Sequence, residues 1–97
     1  MKDFILLMHA DTTSPEREED WEAYIGRLIE VGVFQGGSSI GHGQAFRKQG
    51  DAAPRTHELT GYIKIQAESL EAARAALAGN PTFEAGGTVE IRELVEG

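Results

Sequence analysis

Three groups of residues in this chain are of the kinds that do chemistry. The first is the run GGSSIGHG, residues 36–43, in which Gly37-Ser38-Ser39-Ile40-Gly41 has the G-x-S-x-G spacing of a nucleophile elbow. An elbow needs its serine on a sharp turn between a buried parallel strand and a helix, with a histidine and an acid delivered by later elements. Here the run follows a helical pattern and leads into more extended chain, and 97 residues are too few for a hydrolase sheet. Neither spacing of a phosphate cradle is present, and no helix starts after the run to offer its N-terminus. The run therefore reads as a bulged or bent strand, with Ser39 a backbone neighbour and His42 placed near a pocket rim.

The second group is the histidines, His9, His42 and His57, which are the only three in the chain. Their separation matches none of the tight spacings of zinc sites, so no metal and no cofactor is expected; two of them with Asp11 or Glu58 form the residual metal reading. His9 ends an apolar strand and Asp11 lies two residues on. In extended chain those side chains point the same way, so the carboxylate would orient the imidazole as a general base. The plainer reading is a half-buried histidine hydrogen-bonded to nearby backbone.

Tyr62 and Lys64, on the more polar side of a later strand, make the third group. With Arg47 from the neighbouring extended segment, and His42, they form a set able to hold a small anionic or hydroxylated metabolite. Their plainer reading is an exposed lysine and an aromatic at a subunit interface.

Composition limits the partners. Residues 1–97 suit one domain with one modest core. The formal charge of −7 repels nucleic acid and anionic membranes, and no basic stripe offsets it locally. Cysteine is absent, which excludes disulfides and thiolate chemistry. With no targeting leader and no apolar stretch of membrane-spanning length, a cytoplasmic protein is expected. The acidic run PEREEDWE reads as the solvated start of a helix, where carboxylates face the positive end of the dipole.

The elements that must position these groups follow from periodicity. KDFILLMHA is apolar at both parities, so it is a strand covered on both faces. Thr13 and Glu16, or Ser14 ahead of Pro15, supply the cap of a helix whose stripe is Trp21, Tyr24, Ile25, Leu28 and Ile29, ending at Gly32. Val33 to about Lys48 is extended and glycine-rich, and QGDAAPRT is a loop. HELTGYIKIQA is a strand with Leu59, Gly61, Ile63 and Ile65 on one side. A second helix carries Leu70, Ala73, Ala76 and Leu77 and stops at Gly79-Asn80-Pro81. In GGTVEIREL, Val89 and Ile91 alternate with Glu90 and Arg92. The order β-α-β-β-α-β specifies an α+β, ferredoxin-like βαββαβ sandwich, a four-stranded antiparallel sheet with two helices on one face. Helices on one face leave the other apolar parity of the first strand uncovered, which predicts a homodimer.

Across nearly its whole length the chain resembles the YCII-related family of the dimeric α/β-barrel superfamily. The resemblance rests on MKDFILLMHAD, LIEVGVFQGG, LTGYIKIQAESLEAARA and NPTFEAGGTVEIREL. It implies a ferredoxin-like fold, a homodimer joined through its sheets and a pocket beside the sheet in each subunit. Two departures accompany it. The Asp-Gly-Pro-Phe signature of one branch is replaced by GDAAPRTHELTGY, and Trp21 and Asn80 occupy the positions of that family's His–Asp pair, so the pair is not carried over. The leading expectation is a small homodimer with a metabolite pocket. Its alternatives are a cofactor-independent enzyme using His9 as base on an organic acid or lactone, with Arg47 or Lys64 holding the carboxylate, and a structural dimerisation module.

Overall fold

A computed structural model describes residues 1–54 and 58–96 of the chain. Its elements are β1 (Lys2–His9), α1 (Glu18–Glu30), β2 (Phe34–Ser39), β3 (Leu59–Ala67), α2 (Leu70–Ala75), α3 (Pro81–Glu84) and β4 (Val89–Leu94). The strands make one antiparallel sheet in the order β2-β3-β1-β4, the ferredoxin-like α+β arrangement. Among the described residues no helix is long and apolar enough to cross a membrane.

The two apolar parities of β1 have separate fates. Phe4, Leu6 and Met8 lie within the core, beside Ile63 and Ile65 of β3, Tyr24 and Leu28 of α1, and Ala73 and Leu77 from the α2 region. Ile5 and Leu7 point to the opposite, helix-free face and are only half-buried. There Ile5 stands between Lys64 of β3 and Arg92 of β4, and Leu7 between Tyr62 and Glu90. We refer to this as the open face.

Helix α1 turns the expected stripe to the core, with Tyr24 and Leu28 buried, Trp21 and Ile25 partly buried and Ile29 exposed at the margin. Its start differs from the expected caps. The first helical residue is Glu18, and Arg17 takes the cap position without a side-chain bond. Thr13 and Ser14 instead direct their backbone N–H groups, and their hydroxyls, to the Ala85 carbonyl. Glu16 accepts from Trp21 Nε1 (2.8 Å) and Thr82 Oγ1 (3.0 Å). Tertiary partners across the α3 turn thus satisfy the groups that local spacing assigned to a capping box.

The second helix is also shorter than its stripe implies. Ser69 caps α2, and after Gly79 the buried Asn80 accepts from Phe83 N–H at 3.1 Å, opening the four-residue α3 with Pro81 at its first position. The Gly-Asn-Pro punctuation is therefore both a stop and a restart. The Tyr24 hydroxyl donates to the Ala76 carbonyl at 2.7 Å, tying α1 to the end of α2, and burial pushes its phenol pKa up.

Strand β2 ends at Ser39, nine residues short of the extended stretch expected to reach Lys48. Beyond Ile40, whose N–H still donates to the Thr60 carbonyl, Gly41 and Gly43 bring no side chains to bury and the chain leaves the sheet. Residues 41–51 are exposed throughout, and Phe46 is 85% exposed. This excursion contributes to a radius of gyration of 14.6 Å, where a compact chain of this length has about 12.5 Å.

Candidate functional site

Two concavities flank the sheet, one on each face. On the open face a hollow of about 570 Å³ is lined by Leu7, His9, Glu90 and Arg92 from the sheet and by Ile40, Gly41, Gly43, Gln44, Pro54 and Glu58 from the segment that departs from it. His9, at the irregular end of β1, is buried, and its Nε2 lies 3.1 Å from Glu90 Oε1. Glu90 Oε2 accepts from Arg92 Nε at 2.5 Å. The carboxylate beside His9 Nε2 is therefore that of Glu90, from β4. Asp11 accepts instead from Thr88 N–H (2.8 Å) and Thr88 Oγ1 (2.7 Å), pinning the turn before β4. The two-residue spacing that suggested a His9–Asp11 pair assumed continued extension, but strand β1 stops at His9 and the chain bends at Ala10. The His9 Nδ1 atom is buried from solvent, and His9, Glu90 and Arg92 all line the hollow.

Arg92 and then His9 hold the Glu90 carboxyl below the usual carboxylate range. A depressed folded-state pKa adds stability above the unfolded value, near 4.3, which is lost as the pH falls through the folded value. Glu90→Gln is accordingly expected to lower the melting temperature more at pH 7 than at an acid pH, where the parent's carboxyl takes up its proton. Glu90 is a third exposed, so the difference stays below about 1 kcal/mol. An equal deficit at both pH values would show that the charge contributes nothing.

The second concavity, also about 570 Å³, opens on the helix side between α1 and the β2 edge. Met8, Ile63 and Gly61 form its floor, and Trp21, Ile25 and Phe34 its walls. Its rim carries Ser38, Ser39, Thr60, Glu16 and Glu18. Two local features of the GGSSIGHG run make this cleft. A register irregularity between Phe34 and Gly36, with Gly36 at φ 124°, bends β2 as a bulge does. Gly37 then lets the strands close up, since a Cβ there would lie 2.6 Å from the Tyr62 carbonyl oxygen. Gly61, opposite Ser39, leaves the floor without a side chain. Ser39 itself stands on an edge strand with no helix following it, as the bent-strand reading of the run expects.

The remaining expected site residues are dispersed. Tyr62 and Lys64 pair with Leu7 and Ile5 on the open face, and Tyr62 is also among the residues that line the helix-side cleft. Arg47 donates to the Asp51 carbonyl within the exposed excursion (3.3 Å). His42 is fully exposed, with Nδ1 3.8 Å from Glu58 Oε2. His57 lies outside the described residues. Among the described residues no three His, Asp or Glu side chains are grouped to hold a metal ion. Glu90 and Arg92 were not among the expected site residues, although the alternation of β4 places both on one side. Trp21, expected as core, both packs on the core and lines the cleft.

No family model and no curated protein matches the chain by sequence. In three dimensions it is similar to 5-chloro-2-hydroxyhydroquinone dehydrochlorinase (TftG) from Burkholderia phenoliruptrix AC1100, solved in complex with 2,5-dihydroxybenzoquinone. The TM-score is 0.57 at 15% identity, over 98% of this chain and 95% of that one. The likeness shows a shared fold, the ferredoxin-like α+β arrangement described above.

Proposed function

We propose that this chain is a homodimeric small-molecule-binding protein of the YCII-related kind, which takes its ligand in the helix-side cleft and joins its second copy through the open face. One observation carries the ligand reading: a single chain encloses about 570 Å³ with an apolar floor, two aromatic walls and a hydroxyl rim. Those dimensions and that mixture are typical of metabolite sites. The neighbour of the same fold, captured with 2,5-dihydroxybenzoquinone, supports a small flat ring as the kind of occupant. Support for the second copy comes from Ile5 and Leu7 on a face that no helix covers, and from Phe46 on the protruding segment. In this arrangement Tyr62 and Lys64 belong to the subunit interface.

Trp21 is the chain's one tryptophan, so its fluorescence reports on the cleft directly. Hydroquinone is expected to quench it saturably and to raise the melting temperature. Ser39→Leu, which places an aliphatic side chain opposite Gly61, is expected to weaken binding at least about tenfold while leaving the fold intact. Quenching that is linear in hydroquinone and indifferent to Ser39→Leu would remove the cleft from consideration.

A second reading, acid–base chemistry at His9, is favoured by the pairing of buried His9 with the part-exposed Glu90 beside a hollow that also holds Arg92. Turnover abolished by Glu90→Gln, with cleft binding preserved, would select it.

A further inference from the structure

We infer that the helix-side cleft selects flat rings that carry hydroxyl or amino donors and no negative charge. This inference rests on the cleft being the ligand site and adds the chemical class of the ligand. Among the described residues lining the cleft, two are carboxylates and none is a lysine, arginine or histidine. Arg17, the basic residue next to the rim in sequence, is held by Glu19. Arg27 lies over the Tyr24 ring and donates to the Ala78 carbonyl. The start of α1 would by itself attract an anion, but Glu18, Glu19 and Asp20 already occupy its first turn. A net charge of −7 adds to the repulsion.

The hydrogen-bonding groups at the rim agree with the charges. By the β2–β3 register Ser38 lies opposite Tyr62 and turns to the open face, whereas Ser39, opposite Gly61, brings its hydroxyl to the cleft. Trp21 N–H donates to Glu16. That donor is directed at a protein acceptor, so the polar groups left to a ligand are the two carboxylates, which only accept, and the Ser39 hydroxyl, which can accept or donate. Such a rim matches phenols, anilines and aryl ammonium groups. It leaves a ligand carboxylate facing acceptors and like charge. Two rim carboxylates beside an apolar floor act within a Debye length of the bound ring, about 8 Å at physiological salt, so screening does not remove the discrimination. The expected preference runs opposite to the anionic metabolite that Arg47 and Lys64 suggested, because neither residue lines this cleft.

Three probes sharing one phenol ring test the inference: tyramine, para-ethylphenol and para-hydroxyphenylacetate, titrated against Trp21 fluorescence with calorimetry as a second readout. Tyramine and para-ethylphenol are expected to bind at least about tenfold more tightly than para-hydroxyphenylacetate. Glu18→Gln is expected to narrow the gap between tyramine and the carboxylate roughly threefold, without altering para-ethylphenol. Equal or tighter binding of para-hydroxyphenylacetate overturns the charge selection while the cleft stands. Failure of all three to bind overturns both.

Discussion

Leu6→Ala is expected to destabilise the protein by about 2–5 kcal/mol, because Leu6 is fully buried in the middle of the central strand. Its side chain lies in the core between Ile63 of β3 and Ile91 of β4, under Tyr24 and Leu28. Truncation removes the transfer free energy of the lost methylene groups and leaves a void that a sheet pinned on both edges cannot collapse to fill. A domain of this size has only about 5–15 kcal/mol in hand, so the melting temperature should drop by roughly 10–30 °C. Thermal unfolding followed by circular dichroism measures this directly. A fall of under about 3 °C would mean that β1 does not pack as described.

One residue earlier, the consequence is of another kind. Ile5→Glu is expected to leave each subunit folded and to convert a dimer into a monomer. Ile5 faces away from the helices, between Lys64 and Arg92, so a glutamate there gains two cross-strand partners of opposite charge in the free subunit. In a sheet-to-sheet dimer the same carboxylate would be desolvated in both copies, at several kcal/mol per charge, and association should weaken by at least about a hundredfold. Light scattering on a sizing column at micromolar concentration reads the result, with the melting temperature as a control on folding. A parent chain that elutes as a monomer, or a variant that still dimerises, would refute assembly through the open face.

This pair of neighbouring residues marks how far the sequence can be read. The apolar content at both parities of β1 already called for cover on two faces, and the β-α-β-β-α-β order already called for helices on only one. Which parity lay beneath the helices was not legible, since Phe4-Ile5-Leu6-Leu7-Met8 offers no polar residue to break the symmetry. The decision came from β3 and α1, where Ile63, Ile65, Tyr24 and Leu28 converge on the even-numbered side. The same limit applies to the site. Asp11 is near His9 in sequence, yet Glu90, 81 residues away, meets its ring, because strand pairing rather than chain proximity brings β4 alongside β1.

By itself, then, the sequence determined the four strands and two main helices, their order and the bent character of GGSSIGHG, all of which depend on local periodicity, glycine placement and turn chemistry, while the α3 turn and the ends of β2 and α1 escaped it. It also determined the acidic balance that limits what can bind. Only the tertiary structure decided that the bend and the bare Gly61 open a cleft against Trp21, and that Glu90 and Arg92 face His9. It likewise decided that Thr13, Ser14 and Glu16 serve the α3 turn rather than cap α1. These arrangements join residues from distant parts of the chain, and the distance between such residues is set by sheet register and helix docking, which no spacing along the chain records.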